Sequence, residues 1–283
     1  MPGRFSSAFC ALLLLTVAAC SPAVAPSHTP PSQRRIVALI PSLVEDLCAI
    51  GGADQLVGTS AYADDVPCTK GVPIVGDFSS LDAEKIVALR PDVVLAIPAQ
   101  LRSIEPLRRA GLTVDTLPDD TFDDVFTDIR TLGALTGRAA AAGALIASLH
   151  RQTAALRAGV GHAAHPPRVF VALGTGPIFT VGPQSYIATL IGLAGASDAV
   201  NSLSGAYGSY SAEALLRLQP DAIVTDAATR LDTVLDREPW RSLSAVREHR
   251  VYVLADAALL ERPGPRYNEG LRWLIERLTP RKR

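Results

Sequence analysis

The sequence LDAEKIVALRPDVVLA at residues 81–96 returns in altered form as YSAEALLRLQPDAIVT at residues 210–225. Each copy has an amphipathic run, a Pro-Asp pair and an apolar run, which predicts a helix, a turn and a buried strand. Identical residues stand 129 positions apart, as the difference between Asp92 and Asp221 shows, and the other pairs are Ala83 with Ala212, Glu84 with Glu213, Leu89 with Leu218, and Pro91 with Pro220. One structural unit is therefore used twice.

Apolar runs that are typical of buried strands open both halves of the chain. Residues 35–41 read RIVALIP, and residues 168–173 read RVFVAL. Ser42 and Glu45 match a capping box at the start of the helix that follows the first run. Further strands are predicted at 55–60, 72–75, 92–97 and 113–117, and helices at 83–89 and 104–110. This alternation predicts parallel sheets covered by helices.

A long amphipathic pattern over residues 138–157 separates the two halves. Its apolar positions share one helix face and are Ala142, Leu145, Ile146, Leu149 and Leu156. A helix of this length extends about 30 Å. We therefore expect an α/β fold of two similar parallel-sheet lobes, residues 35–136 and 161–283, joined by one long α-helix at 137–160, with a ligand cleft between the lobes.

The first residues predict export. Arg4 precedes a mostly apolar stretch at 8–17, which is too short to span a hydrocarbon core of about 30 Å but suits a signal peptide. The stretch ends in VAAC at 17–20, which resembles a bacterial lipobox and predicts lipidation of Cys20. Ordinary cleavage after Ala19 is the alternative.

We accordingly expect residues 1–20 to be a lipoprotein signal peptide and the proline-rich residues 21–34 to be a disordered tether. No later segment has eighteen uncharged apolar residues, so lipid alone is expected to attach the protein to the periplasmic face of a bacterial membrane. A free periplasmic form is the alternative. Cys48 and Cys68 are compatible with a disulfide in an exported protein, and equally with buried thiols.

The composition excludes several classes of protein. The 283 residues are 48% hydrophobic and 19% charged, and 27 basic against 28 acidic residues leave a net charge of −1, which argues against a nucleic-acid binder. Walker A, G-x-G-x-x-G, H-E-x-x-H and G-x-S-x-G motifs are missing. The histidines avoid the expected cleft loops, so we predict no metal site, no cofactor and no catalytic residues. A secreted hydrolase is the distant alternative.

Several segments carry a family resemblance, and they read RIVALIPSLVE at 35–45, VGDF at 75–78, GTGPIFTVG at 174–182 and ERPGPR at 261–266. With the paired Pro-Asp units, they resemble substrate-binding proteins of ABC importers in the helical-backbone class, which carry cobalamin, haem or ferric siderophores. Within that class the cobalamin-binding proteins are the most similar. The resemblance implies an ABC-importer permease as partner, with Glu84 and Glu213 entering its arginine pockets. The alternative is that each Glu only complements a helix N-terminus.

Ligands of open α/β sheets lie beyond the carboxyl ends of the strands. This rule and the resemblance predict the ligand-binding residues Ser42, Tyr62, Phe78, Gln100, Thr175, Phe179, Tyr207, Tyr210 and Arg262. Aromatic residues are only 5% of the chain, and their concentration here suits a flat macrocycle. The alternative is that Phe78 and Phe179 belong to the core.

A corrinoid is the expected ligand, because a single cleft arginine and an amide-bearing Gln100 suit its mostly neutral rim. Cobalamin binders carry Trp where this chain has Phe78 and Pro98. Haem, with Tyr62 or Tyr207 as axial ligand, and a ferric siderophore, which would require several arginines, are the alternatives. Arg266 is expected to pair with an acid such as Glu269.

Overall fold

Two four-stranded parallel sheets organise the part of the chain that the computed structural model describes, namely Pro30, residues 33–161 and residues 163–279. The first sheet contains β1 (Ile36–Ala38), β2 (Leu56–Thr59), β3 (Val93–Ala96) and β4 (Val114–Thr116), in the order β2-β1-β3-β4. The second contains β5 (Arg168–Ala172), β8 (Ser197–Asp198), β10 (Ala222–Asp226) and β11 (Val251–Leu254), in the order β11-β10-β5-β8. The predicted signal peptide and Cys20 lie outside the described residues.

A small antiparallel sheet and ten helices complete the fold in the described residues. The antiparallel sheet has the order β6-β7-β9, with β6 at Gly174–Thr175, β7 at Ile178–Val181 and β9 at Tyr207–Ser209. The helices are α1 (Pro41–Ala49), α2 (Ala83–Ala88), α3 (Leu101–Arg109), α4 (Phe122–Leu135), α5 (Ala139–Arg157), α6 (Tyr186–Leu193), α7 (Ala212–Leu218), α8 (Ser244–Arg247), α9 (Ala258–Glu261) and α10 (Tyr267–Leu278). Both parallel sheets and the connecting helix α5 are confirmed.

The internal repeat has the same structural role in both lobes. The carboxylate of Asp92 accepts the backbone N–H of Arg35 at 2.7 Å, and that of Asp221 accepts the backbone N–H of Arg168 at 2.8 Å. The residue before each Pro-Asp proline is left-handed, with φ of +46° and +43°. Each Pro-Asp pair therefore ends a helix and ties the following strand to the first strand of its own sheet.

Two local predictions are wrong. Helix α1 begins at Pro41 with Ile40 as N-cap, and Ser42 lies inside the helix, so Ser42 and Glu45 form no capping box. Proline suits the first helical position because its fixed φ is already helical and its missing N–H would have no partner there. Residues 72–75 form only an isolated bridge between Ile74 and Thr59, since Pro73 offers no N–H to a ladder.

One apolar core extends through both lobes. It contains Ile36 and Leu43 of the first lobe, Leu149 of the connecting helix, and Val169 and Leu271 of the second, all of them nearly or fully buried. Separating the lobes would expose this surface at a cost of about 25 cal/mol for each Å². Large hinge motions are therefore unfavourable. No helix in the described part of the chain combines the length and apolar character needed to cross a bilayer.

Two carboxyl groups lie inside the protein between α1 and α4. Asp46 is fully buried and Asp128 is 3% exposed, and neither oxygen of Asp46 has a hydrogen-bond partner among the described residues. Burial, followed by the nearby charges of Asp124 and Asp119, raises the pKa of Asp128 to about 8. Burial, and then the charge of Asp128, raises the pKa of Asp46 well above its usual range. The folded protein therefore holds protons that the unfolded chain releases.

We expect the free energy of unfolding to fall as the pH rises from about 4, the pKa in the unfolded chain, to about 8, because the folded state binds the extra proton. Asp128→Asn should remove part of this fall and raise the melting temperature at pH 8.5 by several degrees, since about 1 kcal/mol corresponds to roughly 2–4 °C. Thermal unfolding between pH 5 and pH 9 tests this expectation. The exposed Asp123→Asn on the same helix is the control, and identical profiles for the two variants would contradict it.

Candidate ligand-binding cleft

The carboxyl ends of the two parallel sheets face each other across a cleft. Its main cavity has a volume of about 640 Å³, within the usual range for small-molecule sites, and it is lined by Ile40, Pro41, Ser42, Tyr62, Phe78, Ser79, Ile97, Asp119, Ala257, Ala258, Glu261, Arg262 and Pro263. A smaller cavity of about 210 Å³ shares three of these residues and adds Leu173, Ile187 and Tyr207. Most of the lining follows strands β1, β3, β4 and β11, as the rule for open sheets predicts.

Five of the nine predicted ligand residues line these two cavities. Ser42, Tyr62, Phe78 and Arg262 line the larger one and Tyr207 the smaller. The hydroxyl of Ser42 is buried and has no hydrogen-bond partner among the described residues. Tyr62 is 57% exposed and Phe78 39% exposed. Aromatic surface of Tyr62 and Phe78 therefore lies open to a ligand at the cleft, beside the buried and unpartnered Ser42 hydroxyl.

A disulfide and a backbone hydrogen bond place Tyr62. Cys48 of α1 and Cys68 form a disulfide, with 6.3 Å between their Cα atoms. Of the two possibilities that the sequence left open, a disulfide or buried thiols, the structure has the disulfide. This bond closes the segment that carries Tyr62 back onto α1. A guanidinium N–H of Arg262 donates to the Tyr62 carbonyl at 3.2 Å. The ring is thus presented by a segment that is fixed at two points.

A tight turn presents Phe78. Gly76 has φ of +135°, and a Cβ there would collide with the carbonyl oxygen of Ser80, so only glycine fits. The carboxylate of Asp77 accepts the backbone N–H groups of Ser79 at 2.9 Å and Ser80 at 2.7 Å. Phe78 therefore lies in a turn that is fixed by the Gly76 backbone and by the hydrogen bonds of Asp77. Its ring forms an ordered part of the cleft lining.

Gln100 lies behind this turn and outside the cavity lining. Its side chain is buried, its carbonyl oxygen accepts the N–H of Ile97 at 3.4 Å, and its amide donates to the Phe78 carbonyl at 3.3 Å. The hydroxyl of Ser103 donates to the same carbonyl at 3.2 Å. Both ends of the Gln100 amide are used within the protein, so its position fits support of Phe78 and leaves no free group for a ligand.

The remaining three predicted residues also lie outside the two cavities. Thr175 belongs to the short strand β6, and Phe179 on β7 is 38% exposed. Phe78 and Phe179 are thus both too exposed for the core alternative. Tyr210 packs against Phe170, with 5.8 Å between ring centroids, in an apolar cluster around Trp240. The sequence places these residues near strand ends, but the side-chain directions follow the packing of the small antiparallel sheet.

Arg262 connects the two lobes. Its guanidinium donates to the carboxylate of Glu45 on α1 at 3.1 Å and to that of Asp65 at 3.0 Å, across 217 and 197 residues of sequence. Glu45 is 7% exposed, and burial raises its pKa although Arg262 opposes the shift. Arg262 lies in the cleft as predicted, but its charge is already compensated. Glu45 serves as the buried partner of this arginine, which corrects its predicted role as a cap.

Arg266 behaves as the sequence predicts. It donates to Glu269 at 3.2 Å and also to Asp256 at 3.2 Å, both within the second lobe. Arg266 therefore donates hydrogen bonds within its own lobe, whereas Arg262 donates to carboxylates of the other lobe, and the charge of Arg266 adds a weaker lowering of the Glu45 pKa.

Two acids in the cleft were missed as candidate ligand residues. Asp119 and Glu261 line both cavities. Burial, then the charges of Asp120 and Asp124, raises the pKa of Asp119 to about 6. Burial, and then the neighbouring carboxyl of Asp226, raises the pKa of Glu261 to about 8. Asp119 follows a predicted strand by two residues, so the strand-end rule could have found it.

The smaller cavity also holds a neutral phenol. Burial, and then the charges of Asp119, Asp120 and Glu261, raises the pKa of Tyr207 above its usual range. Its hydroxyl therefore stays protonated near neutral pH. Among the described residues, no group of three or more His, Cys, Asp or Glu side chains could hold a metal ion.

Glu84 and Glu213 occupy equivalent places in the two lobes. Both are exposed in the first turns of α2 and α7. The helix N-termini are already capped by other side chains, because Asp82 and Ser211 accept backbone N–H groups at 2.9 and 3.0 Å. Capping therefore leaves both glutamates available, although Glu213 also forms an ion pair with Arg217 on its own helix.

The fold and the cleft define a two-lobed extracytoplasmic substrate-binding protein. The chain belongs to the periplasmic binding protein family, whose pattern matches residues 36–258. Members of this family bind substrates for ABC importers and are not enzymes, which removes the hydrolase alternative.

Several individual proteins that are similar to this chain are named for the ligands they bind. The chain is 31% identical over 255 residues to the ABC transporter substrate-binding lipoprotein YvrC of Bacillus subtilis, covering 87% of this chain and 80% of that protein. It is 34% identical over 251 residues to a cobalamin-binding protein of Halobacterium salinarum, covering 83% of this chain and 66% of that protein. A periplasmic heme binding protein from Pseudomonas aeruginosa superposes with a TM-score of 0.73 at 28% identity, covering 88% of this chain and 94% of that one. The chain therefore resembles binders of two kinds of macrocycle.

We expect Arg262→Gln to lower the free energy of unfolding by about 2 kcal/mol, since it removes the cation that is hydrogen-bonded to the buried Glu45 carboxylate. The loss should stay below that of a fully buried pair because Asp65 is half-exposed and its share is screened by solvent. Adding Glu45→Gln should recover part of the loss. Chemical unfolding measures both variants, and Arg241→Gln, which breaks a surface ion pair with Glu238, is the control. An Arg262 loss no larger than that of Arg241 would contradict the assignment.

Proposed function

We propose that this protein is a lipid-anchored binding protein that captures a corrinoid between its lobes and delivers it to an ABC-importer permease. The main support for a corrinoid as the ligand is the set of side chains that line the cleft. Two exposed aromatic side chains, Tyr62 and Phe78, line a wide cavity, and Arg262, the one arginine among its described lining residues, already holds two carboxylates. A large and mostly neutral macrocycle matches such a site better than an anion does.

The relatives support the same function. A cobalamin-binding protein and a substrate-binding lipoprotein are both similar to this chain over most of its length. The lipobox-like residues 17–20 support an anchor at Cys20. Lipid attachment would keep the binding protein near the permease while the folded lobes stay in the periplasm.

Haem is the second candidate, because a haem-binding protein shares the fold. Tyr62 favours this reading, since its exposed hydroxyl could act as an axial ligand to iron. Tyr207 is the poorer axial ligand, because its raised pKa disfavours the phenolate. A ferric siderophore has less support, since an anionic chelate requires free cations in the cleft.

Titration of the purified protein with cyanocobalamin, haemin and a ferric catecholate distinguishes the ligands. We expect micromolar or tighter binding of cyanocobalamin, weakened roughly tenfold by Tyr62→Ala or Phe78→Ala, because each truncation removes an aromatic face from the cleft. Val253→Ala, which truncates an exposed apolar residue outside the cavity lining, is the control. Tight haemin binding without detectable cyanocobalamin binding would overturn the corrinoid assignment and leave the importer role intact.

Alanine at both Glu84 and Glu213 should reduce ligand uptake by cells that carry the cognate permease at least tenfold, with unchanged ligand affinity. The reason is that both exposed carboxylates are proposed to pair with permease arginines. Glu276→Ala, another exposed glutamate of the second lobe, is the control. Normal uptake by the double variant would remove the docking assignment.

A further inference from the structure

Two carboxyl groups from opposite lobes meet the same cleft. Asp119 lies in the loop after β4 of the first sheet, and Glu261 ends α9 after β11 of the second. Both line the main cavity beside Tyr62 and Phe78, and both line the smaller cavity beside Tyr207. A ligand that fills the cleft therefore faces a carboxyl group from each lobe.

No free cation offsets these acids among the described residues that line the two cavities. Arg262 is the one basic side chain in the lining, and its guanidinium holds Glu45 at 3.1 Å and Asp65 at 3.0 Å. The carboxylates of Glu45 and Asp65 thus already compensate this single positive charge, and none of it is left over for Asp119 and Glu261. The cleft surface is consequently acidic once those two groups ionise.

The surroundings of each acid keep it responsive to pH near neutrality. Glu261 faces the carboxyl of Asp226, which raises its pKa further, and Arg262, which opposes the shift, so that its pKa is about 8. Asp226 stays ionised, since burial alone would raise its pKa but hydrogen bonds from the Thr229 hydroxyl, the protonated Glu261 carboxyl and backbone N–H groups lower it. At pH 7 Glu261 is therefore mostly protonated.

Among the described residues, the groups that interact with Asp119 are the acids Asp120, Asp124 and Asp128 and the phenol of Tyr207. Asp120 and Asp124 carry negative charge next to it, and Tyr207 stands across the smaller cavity as a neutral hydroxyl. With a pKa of about 6, Asp119 is mostly ionised at pH 7. The cleft thus offers one carboxylate and one carboxylic acid at neutral pH, and two carboxylates at pH 9.

We propose that Asp119 and Glu261 form an acidic floor that selects the charge of the ligand, so that the cleft accepts neutral or cationic corrinoids and rejects macrocycles and chelates that bear carboxylates. This proposal presupposes the corrinoid ligand argued above. Carboxylate oxygens accept hydrogen bonds from amide N–H groups and attract a cation, whereas they repel the propionates of haem at short range. Asp119 and Glu261 are specificity-determining residues in this view.

A matched pair of corrinoids tests the floor. Aquacyanocobinamide is cationic and dicyanocobinamide is neutral, while their corrin rings are the same. We expect the wild type to prefer the cation, and this preference to grow roughly tenfold between pH 6 and pH 9 as both acids ionise. In the Asp119→Asn/Glu261→Gln variant the preference should become small and independent of pH. The same variant should bind haemin at least roughly tenfold more tightly than the wild type does.

The control variant is Asp123→Asn/Glu276→Gln, which removes the same two charges from exposed positions. Thermal unfolding confirms that each variant is folded, and the pH profile of the wild type tests the floor without any substitution. A cation preference that changes neither with pH nor with the floor variant, while corrinoid binding persists, would overturn the floor and leave the proposed function standing. Failure of every corrinoid to bind would overturn the proposed function itself, whereas tight haemin binding by the wild type at pH 9, with corrinoid binding intact, would overturn the acidic floor alone.

Discussion

The continuous apolar core that links the two lobes constrains everything else in this molecule. Helix α5 contributes Leu149 and α4 contributes Leu132 to a core that reaches both parallel sheets. Because this core would be exposed by wide opening, the carboxyl ends of the sheets stay opposite each other whether or not a ligand is present. The cleft is therefore largely preformed. A preformed site loses less conformational entropy on binding, and its selectivity must be built into side chains that are already in place.

Charge placement at the cleft follows from this constraint. Arg262 reaches across to the first lobe, and Glu45 accepts its guanidinium where burial would otherwise leave a carboxylate alone. Asp119 and Glu261 lie nearby and form no ion pair in the part of the chain that the structure describes, and burial raises the pKa of both. Such uncompensated acids reduce stability near neutral pH. Natural proteins tolerate this kind of local conflict mainly where the residues serve binding.

Local patterns made the architecture predictable, and long-range packing hid much of the site. The repeat at 81–96 and 210–225 identified both sheets because strand and helix signals depend on neighbouring residues. The start of α4 is held by an equally local contact, since the backbone N–H of Thr121 donates to Asp124 at 2.8 Å. The partners of Arg262 are about 200 residues away. Their proximity depends on how the lobes are oriented, which no local pattern records.

Side-chain direction was equally hidden. Tyr210 and Phe78 both follow strands or turns in the sequence, yet one packs on Phe170 in the core and the other lines the cleft. Gln100 was placed at the ligand because of its amide, but that amide is consumed by the backbone of the Phe78 turn. In each case the residue type indicated which interactions the side chain can make. The packing determined whether the side chain is available to make them with a ligand.

The two lobes repeat their frameworks and differ at the cleft. In each lobe an aspartate accepts a hydrogen bond from the first strand, and the helix that precedes this aspartate exposes a glutamate. The first lobe alone supplies Tyr62 and Phe78 to the main cavity, and the second alone supplies Glu261 and Arg262. The exposed glutamate, which is repeated in both lobes, suits a partner that presents the same surface twice. The cleft side chains, which differ between the lobes, suit a ligand with two unlike faces. Under the proposed function, the outer surface keeps the symmetry of the repeated unit for docking to the permease, and the cleft departs from that symmetry to recognise a ligand with two unlike faces.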